Sequence, residues 1–197
     1  MPFGPARGTM GGMRTVVIVL SIGWVIFWIG WLLAAVTTKA SRGSLARFAA
    51  VRIGVMILVI FFFLFRLNRD AGVHPAFSGP VLAGVGLGVW AAGLAIAVWA
   101  RLYIGRNWGM PMTRRVEPEL VTTGPYRLVR HPIYAGILLA LVGTALAISP
   151  LGLIAVAVLA AFFTFSATRE ERFLAEEFPS AYPPYKARTK MLIPFVF

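Results

Sequence analysis

Residues 134–167 decide the fold of this chain. They read YAGILLALVGTALAISPLGLIAVAVLAAFFTFSA, a run of 34 positions without a charged side chain, interrupted near its middle by the linker SPLG at 149–152. A helix that crosses a bilayer needs roughly 20 apolar residues, and about 17 at the lower limit. The two halves, 134–149 and 151–167, are therefore predicted to be separate spans. Because the linker is long enough only for a tight turn, the two spans are predicted to form an antiparallel hairpin.

The composition of the whole chain agrees with a membrane protein. Of 197 residues, 59% are hydrophobic and 13% are charged, whereas a soluble globular domain has about 45–50% and about 25%. These fractions exclude an ordinary soluble domain, and they exclude a disordered chain, which is poor in apolar residues. The chain has no Cys and only two His. Disulfides and thiolate sites are excluded, and a metal site is not expected.

Three further apolar stretches precede the hairpin. A secretory signal is the alternative for the first, but a signal has an apolar region of about 7–15 residues, and this stretch is longer. The second contains Arg52, whose side chain can reach the membrane surface. We predict one all-α integral membrane domain over 1–197, with about five transmembrane helices and a C-terminal amphipathic cytoplasmic segment. The predicted spans are 15–36, 48–65, 81–100, 134–149 and 151–167.

The charged residues predict the orientation. Lys and Arg number 19 against 7 Asp and Glu, which gives a formal net charge of +12. Nucleic-acid binding is an alternative for so basic a chain, but basic residues also collect in cytoplasmic loops, and we expect no nucleic-acid partner. With five spans, 15 of the Lys and Arg lie on one side and 4 on the other. We predict a multi-pass protein, of a prokaryotic cytoplasmic membrane, with loop 101–130 and the C-terminus in the cytoplasm.

The segment Arg130-His131-Pro132 lies where the fourth predicted span begins. Proline is favoured in the first turn of a helix, and a helix N-terminus carries partial positive charge. Two basic side chains there would suit an anion such as a carboxylate. The alternative is that basic residues at a cytoplasmic helix end reflect topology alone.

An acidic pair, Glu170 and Glu171, is predicted at the same membrane level as His131. His131 lies 19 residues before Pro150 and Glu170 lies 20 residues after it, so each is roughly 28–30 Å from the turn. A zwitterionic ligand would fit between the basic and acidic groups. The alternative is a solvated helix end, where the two carboxylates pair with neighbouring arginines.

Two finer patterns predict how individual helices are placed, one within the bundle and one at the membrane surface. Gly84 and Gly88 have the spacing of a close helix–helix contact, or they are ordinary glycines of a membrane helix. Leu174, Phe178 and Tyr182 predict an amphipathic surface helix, which the Pro-Pro pair at 183–184 should end.

Two motifs resemble those of the isoprenylcysteine carboxyl methyltransferase family and the related phospholipid methyltransferases. They are LVTTGPY at 120–126 followed by RHPIYAG at 130–136, and Glu170-Glu171 followed by Leu174, Phe178, Tyr182, Tyr185 and Ile193-Pro194. The resemblance covers about 101–197, and it implies a membrane enzyme that uses S-adenosylmethionine and methylates a lipid or other lipophilic molecule. It implies a cofactor region at 101–134 and 168–197, with contacts from Glu119, Leu120, Val121, Tyr126, His131, Pro132, Ile133, Tyr134 and Glu170.

Catalysis is expected to involve Arg130 and Glu171. Methyl transfer by in-line displacement depends mainly on alignment, and Glu171 is the candidate base for an amine acceptor; a carboxylate or thiol acceptor is equally open. One departure from the isoprenylcysteine enzymes is Ser166, where the resemblance implies an arginine for the substrate carboxylate. Arg169 is a candidate replacement.

Two alternatives to a methyltransferase remain open at the level of sequence. One is an NADPH-dependent enzyme similar to the sterol reductases, and the other is a non-catalytic membrane module of the same fold. Binding of the labelled methyl donor or of NADPH would separate the first alternative from the prediction. The sequence does not name the acceptor or the oligomeric state.

Overall fold

A computed structural model describes residues 7–35, 79–105, 119–149 and 151–196, and over these residues the regular structure is helical. Five α-helices are present in the described part of the chain, together with a 3₁₀ helix at Gly124–Arg127. The α-helices are α1 (Arg7–Ala35), α2 (Pro80–Ile104), α3 (Pro132–Ile148), α4 (Gly152–Glu177) and α5 (Tyr182–Arg188).

Three of the described helices are long and apolar enough to cross a membrane: α1 through its part Gly12–Trp31, α2, and α4. The fourth apolar helix, α3, has 17 residues, which is near the lower limit for a span. Predicted span 48–65 lies outside the described residues, so the total of five spans stays a prediction. The chain is a multi-pass membrane protein by the length and composition of these helices.

The predicted hairpin of α3 and α4 is confirmed. α3 ends at Ile148 and α4 begins at Gly152, and a Cβ atom at Gly152 would lie 2.9 Å from the Cβ atom of Ala145. The second helix is longer than predicted, because α4 continues past 167 to Glu177. The charged residues after 167 therefore extend from the apolar bundle on the same rigid helix.

The predicted surface helix around Leu174 and Tyr182 is wrong. Leu174 belongs to α4, and α4 ends before Phe178. The Pro-Pro pair at 183–184 lies in the first turn of α5 and does not end a helix. Proline fits this position because the first N–H groups of a helix have no partner within the helix. The C-terminal segment is thus a separate short helix, followed by bends and a turn.

The closest packing in the bundle is between α2 and α3, which lie antiparallel. Gly86 faces Gly143, and Gly93 faces Gly136, with the two backbones in contact. A Cβ atom at Gly93 would lie only 2.3 Å from the backbone nitrogen of Ala140. By contrast, Gly84 and Gly88 are exposed and have no such neighbour within 4 Å. The pair predicted from spacing is therefore not a contact between described helices.

Polar contacts between described residues attach α1 to the other helices. Trp24 Nε1 donates a hydrogen bond to Thr144 Oγ1 at 3.1 Å, and Arg101 Nη2 donates to the carbonyl oxygen of Ala34 at 2.7 Å. Aromatic side chains of α1 then pack into a core that all four long helices share. That core includes Trp24, Phe27, Ala97, Tyr134, Ile137, Leu141, Leu159 and Phe163.

Candidate functional site

The hairpin brings the two predicted motifs together at the end of the bundle away from the turn. His131 is the residue before the first turn of α3, and the acidic pair lies on α4. His131 Nδ1 is 3.5 Å from Glu170 Oε2, and His131 Nε2 is 3.5 Å from Glu171 Oε1. The prediction that these groups reach one level, made from residue spacing, is confirmed.

Glu171 is the centre of a group of opposite charges. Its Oε1 accepts a hydrogen bond from Arg130 Nε at 2.6 Å, and its Oε2 lies 2.8 Å from Lys186 Nζ. The side chain of Glu171 is only 4% exposed, so its charge is stabilised by these partners and not by water. We call Arg130, His131, Glu170, Glu171 and Lys186 the ion cluster.

Arg130 also holds the C-terminal end against the hairpin. Its Nη1 donates hydrogen bonds to the carbonyl oxygens of Lys186 and Thr189. The backbone N–H of Arg130 donates to Lys190 at 2.8 Å, and that of His131 donates to Met191 at 3.1 Å. The segment after α5 is thus held at the N-terminal end of α3 by both side-chain and backbone hydrogen bonds.

Glu170 is the most accessible carboxylate of the ion cluster. Its side chain is 24% exposed, against 7% for His131 and 4% for Glu171. The hydroxyl of Tyr134 donates to Glu170 Oε1 at 2.5 Å. The ring of Tyr134 is in turn stacked between His131 and Phe163, at centroid distances of 5.5 and 4.7 Å. The carboxylate of Glu170 is therefore oriented by Tyr134, whose own ring is fixed by stacking.

Burial and charge act in opposite directions on His131. Burial alone would lower its pKa, but the negative charges of Glu170 and Glu171, each with an oxygen 3.5 Å from an imidazole nitrogen, raise the pKa above its ordinary value of 6.5. The net direction favours the protonated form of His131. The cluster then has three positive groups around two carboxylates.

The two tyrosines of α5, Tyr182 and Tyr185, are buried. Burial raises the pKa of Tyr185 to about 12, and its hydroxyl donates to the carbonyl oxygen of Tyr126 at 2.7 Å. Burial, together with the charge of Glu171, also raises the pKa of Tyr182 above its ordinary value. Both phenols stay protonated near neutral pH, which suits them to packing α5 and not to proton transfer.

The geometry corrects the idea of a ligand lying between His131 and Glu170. Both imidazole nitrogens lie 3.5 Å from a carboxylate oxygen, so the basic and acidic groups contact each other and do not form opposite walls. The spacing argument placed the residues at the right level but could not give the distance between the helices.

The remaining predicted residues surround the ion cluster at different depths. Tyr126 is buried, and its hydroxyl donates to the carbonyl oxygen of Ala100 at 3.4 Å. Pro132 and Ile133 are buried in the first turn of α3. The predicted contacts Glu119, Leu120 and Val121 lie in the irregular segment before the 3₁₀ helix, outside the ion cluster.

Ser166 and Arg169 differ sharply in environment. Ser166 is fully buried, and its hydroxyl has no hydrogen-bond partner in the described part of the chain. Arg169 is exposed, with its guanidinium 5.8 Å from the ring centroid of Phe165. Phe165 is itself 56% exposed, so Arg169 does not take the buried position of Ser166.

Lys186 is the residue of the cluster that the sequence analysis missed. It lies on α5, beyond a break in the helix, and its contact with Glu171 depends on how α5 folds back onto α4. No motif or periodicity in the sequence carries that information. Within the described residues no group of three His, Asp or Glu side chains could hold a metal ion.

Comparison with known proteins identifies the family. The profile of the phospholipid methyltransferase family matches residues 81–181, which contain α2 apart from its first residue, α3, α4 and all of the ion cluster except Lys186. The cobalt-zinc-cadmium resistance protein CzcN of Cupriavidus metallidurans is 33% identical over 146 residues, which are 73% of this chain and 63% of that protein.

Plant isoprenylcysteine methyltransferases are also similar. Protein-S-isoprenylcysteine O-methyltransferase B of Arabidopsis thaliana is 38% identical over 85 residues, which are 42% of this chain and 43% of that enzyme. The chain thus spans less than two thirds of the length of these relatives. The family match supports the predicted methyltransferase over the reductase alternative. The chain belongs to the phospholipid and isoprenylcysteine methyltransferase family, a family of membrane methyltransferases that use S-adenosylmethionine.

Proposed function

We propose that this protein transfers the methyl group of S-adenosylmethionine to a lipophilic acceptor at the cytoplasmic membrane face. One observation carries the proposal: segments about 40 residues apart in the sequence, at 130–134 and 170–171, converge on one charged cluster at the end of an apolar hairpin. Both segments lie within the residues that the family profile matches.

The residues present fit the amino-acid end of this cofactor. Glu170 is a partly exposed, oriented carboxylate that suits an ammonium group, since charge-assisted hydrogen bonds are the stronger ones. The N-terminus of α3 and the protonated His131 supply positive charge beside it, which suits a carboxylate. Glu170 and the entrance of α3 would hold the cofactor, and Tyr134 would keep Glu170 in place.

Arg130 and Glu171 are proposed as positioning residues, which revises their expected catalytic role. Both oxygens of Glu171 already contact cations, and its side chain is 4% exposed. A general base must reach the proton that it removes, and Glu171 faces the C-terminal end of the chain through its contacts with Arg130 and Lys186. Together these residues fix α5 and the end of the chain against the hairpin.

When bound, the cofactor supplies an electrophilic methyl group on a sulfonium. The protein's own contribution is to hold donor and acceptor in line. A lipophilic acceptor can enter from the bilayer beside α3 and α4, while a soluble cofactor enters from the aqueous side. Because the two substrates would arrive from different phases, a site at the end of the apolar helices, where the ion cluster lies, would be open to both.

Mass spectrometry of lipids tests the reaction. Membrane lipids are incubated with the purified protein and a methyl donor that carries a deuterated methyl group. We expect a labelled lipid with the wild type and with Glu176→Gln, an exposed position on the same helix, and loss of the label with Glu170→Gln. Binding of NADPH without any labelled product would instead favour the reductase alternative.

The orientation is a separate part of the proposal, and it rests on the uneven distribution of Lys and Arg. A phosphatase that is active only outside the cytoplasm is fused to the C-terminus. We expect this fusion to be silent, and a matched fusion in the loop after predicted span 48–65 to be active. An active C-terminal fusion would contradict the orientation.

A role in metal resistance is a second candidate, because the match to CzcN covers 73% of this chain. Growth of a deletion strain on cobalt, zinc and cadmium tests it. If methyl transfer serves resistance, the wild type restores growth and Glu170→Gln does not. Equal restoration by both would separate any resistance role from the proposed methyl-donor site.

A further inference from the structure

Two segments with exposed basic and apolar side chains meet beside the ion cluster. One follows the 3₁₀ helix and the other follows α5, and a bridge between Val129 and Lys190 joins them. Leu128 is 47% exposed, Phe195 is 91% exposed and Val196 is 72% exposed. We define the terminal surface as six exposed residues of these segments and of the helix ends directly before them: Arg127, Leu128, Arg188, Lys190, Phe195 and Val196.

The terminal surface lies where the apolar helices end. The backbone of His131, directly before α3, donates to Met191, so the chain after α5 is held at the entrance of an apolar helix. On the neighbouring helix, α4, exposed Phe165 is followed within one turn by Arg169. The change from apolar to charged exposed residues on α4 marks the boundary between hydrocarbon and headgroups.

The charge of this surface is entirely positive. Residues 120–134 and 178–196 contain no Asp or Glu, while Arg127, Arg188 and Lys190 are exposed. Basic residues beside a membrane are attracted to anionic lipids, and adjacent apolar side chains enter the boundary between headgroups and acyl chains. We propose that the terminal surface docks on anionic phospholipid headgroups of the surrounding bilayer.

Docking would act on the ion cluster through two backbone hydrogen bonds. Arg130 donates to Lys190 and His131 donates to Met191, so fixing the chain end also fixes the entrance of α3. If a ligand binds only when the chain end and the start of α3 are in this arrangement, then any contact that stabilises the arrangement also strengthens the binding of that ligand. Anionic lipid should therefore strengthen binding of the methyl donor; this second effect rests on the proposed function.

A fluorescent label on the chain end tests the docking directly. The natural chain has no Cys, so Val196→Cys gives a single site for an environment-sensitive dye. The labelled protein is placed in nanodiscs of phosphatidylcholine, with or without phosphatidylglycerol. We expect the emission to shift to the blue with phosphatidylglycerol, and Lys190→Gln to reduce the shift. Arg172→Gln, which also removes one exposed positive charge but lies on α4, should keep it.

The affinity for S-adenosylhomocysteine is the second readout in the same nanodiscs. We expect Lys190→Gln to weaken binding by up to about fivefold in the anionic discs, which is the equivalent of about 1 kcal/mol for one basic residue at an anionic surface. In neutral discs it should have little effect. Loss of S-adenosylhomocysteine binding in every lipid would contradict the proposed function but leave the fluorescence result to decide the docking.

Emission that does not depend on phosphatidylglycerol would overturn the proposal. A dye that stays exposed to water in both kinds of disc would show that the terminal surface does not contact the bilayer, and it would favour a protein partner for this surface. A dye that is buried equally in both would indicate insertion driven by the apolar side chains alone. Either result rejects docking through anionic headgroups.

Discussion

The contact between α2 and α3 and the ion cluster hold the same bundle together by opposite means. Between α2 and α3, Gly86, Gly93, Gly136 and Gly143 bring two backbones into contact, and the fit is purely steric. In the ion cluster, charged side chains from the two residues before α3, from α4 and from α5 meet across distances of 2.6 to 3.5 Å. The contact between α2 and α3 is disrupted when a larger side chain replaces a glycine, and the ion cluster is disrupted when a charge is removed.

The difference follows from the solvent around each region. Within hydrocarbon, helices associate through close packing of small residues, since lipid tails give no hydrophobic drive between helices. At the end of the bundle, charged groups can be placed at lower cost and can still contact a soluble ligand. The steric contact therefore supplies rigidity, and the ion cluster supplies the candidate chemistry.

Removal of the charge at the centre of the cluster should have the largest effect on stability. Glu171→Gln leaves Arg130, His131 and Lys186 without their common anion, and loss of one partner of a buried pair costs about 3 kcal/mol or more. We expect thermal unfolding in detergent to fall by roughly 6–12 °C. Glu176→Gln, an exposed control on α4, should unfold close to the wild type. Unfolding of Glu171→Gln at the wild-type temperature would show that the cluster is not structural.

Addition of one methyl group to the steric contact should have the next largest effect. The new Cβ atom of Gly93→Ala would lie 2.3 Å from the backbone of α3, and such overpacking costs typically 1–3 kcal/mol. Gly88→Ala is the matched control, because it adds the same group to the same helix where no such atom lies within 4 Å. The same unfolding measurement should show a clear loss for Gly93→Ala alone. Equal losses for both variants would reject the close contact.

The pH dependence of stability should be the smallest effect. The neighbouring carboxylates raise the pKa of His131 in the folded protein above its ordinary value of 6.5, so the folded state binds its proton more tightly than the unfolded state. This stabilisation is complete below pH 6.5 and is lost as the pH rises through the folded value. Unfolding temperatures from pH 6 to pH 9 should therefore decline more in the wild type than in His131→Asn. Parallel profiles would show that His131 does not titrate in this way.

Much of the charged end of the bundle could be predicted from the sequence. The apolar run at 134–167 and its linker imply the hairpin, and helix rise then places His131 and Glu170 at one level. These inferences use only distances along the chain, which the α-helix fixes. The convergence of the two segments is accordingly confirmed.

Contacts that depend on helix rotation or on a break in a helix could not be predicted in the same way. The spacing of Gly84 and Gly88 is correct for a close contact, but the rotation of α2 directs Gly86 and Gly93 to α3 instead. The Pro-Pro pair at 183–184 either ends one helix or begins the next, and the structure has the second outcome. Lys186 could not be predicted as a partner of Glu171, because it lies on the helix that begins at this Pro-Pro pair.

The central claim is that the partly exposed carboxylate of Glu170, supported by His131, binds the methyl donor. Calorimetric titration of S-adenosylhomocysteine into purified variants tests it most directly. A charge-assisted hydrogen bond contributes about 1.5–3 kcal/mol, so Glu170→Gln and His131→Ala should each weaken binding by roughly 10- to 150-fold. Glu176→Gln should bind like the wild type. Wild-type affinity in both Glu170→Gln and His131→Ala would contradict the proposed site and, with it, most of the case for methyl transfer by this protein.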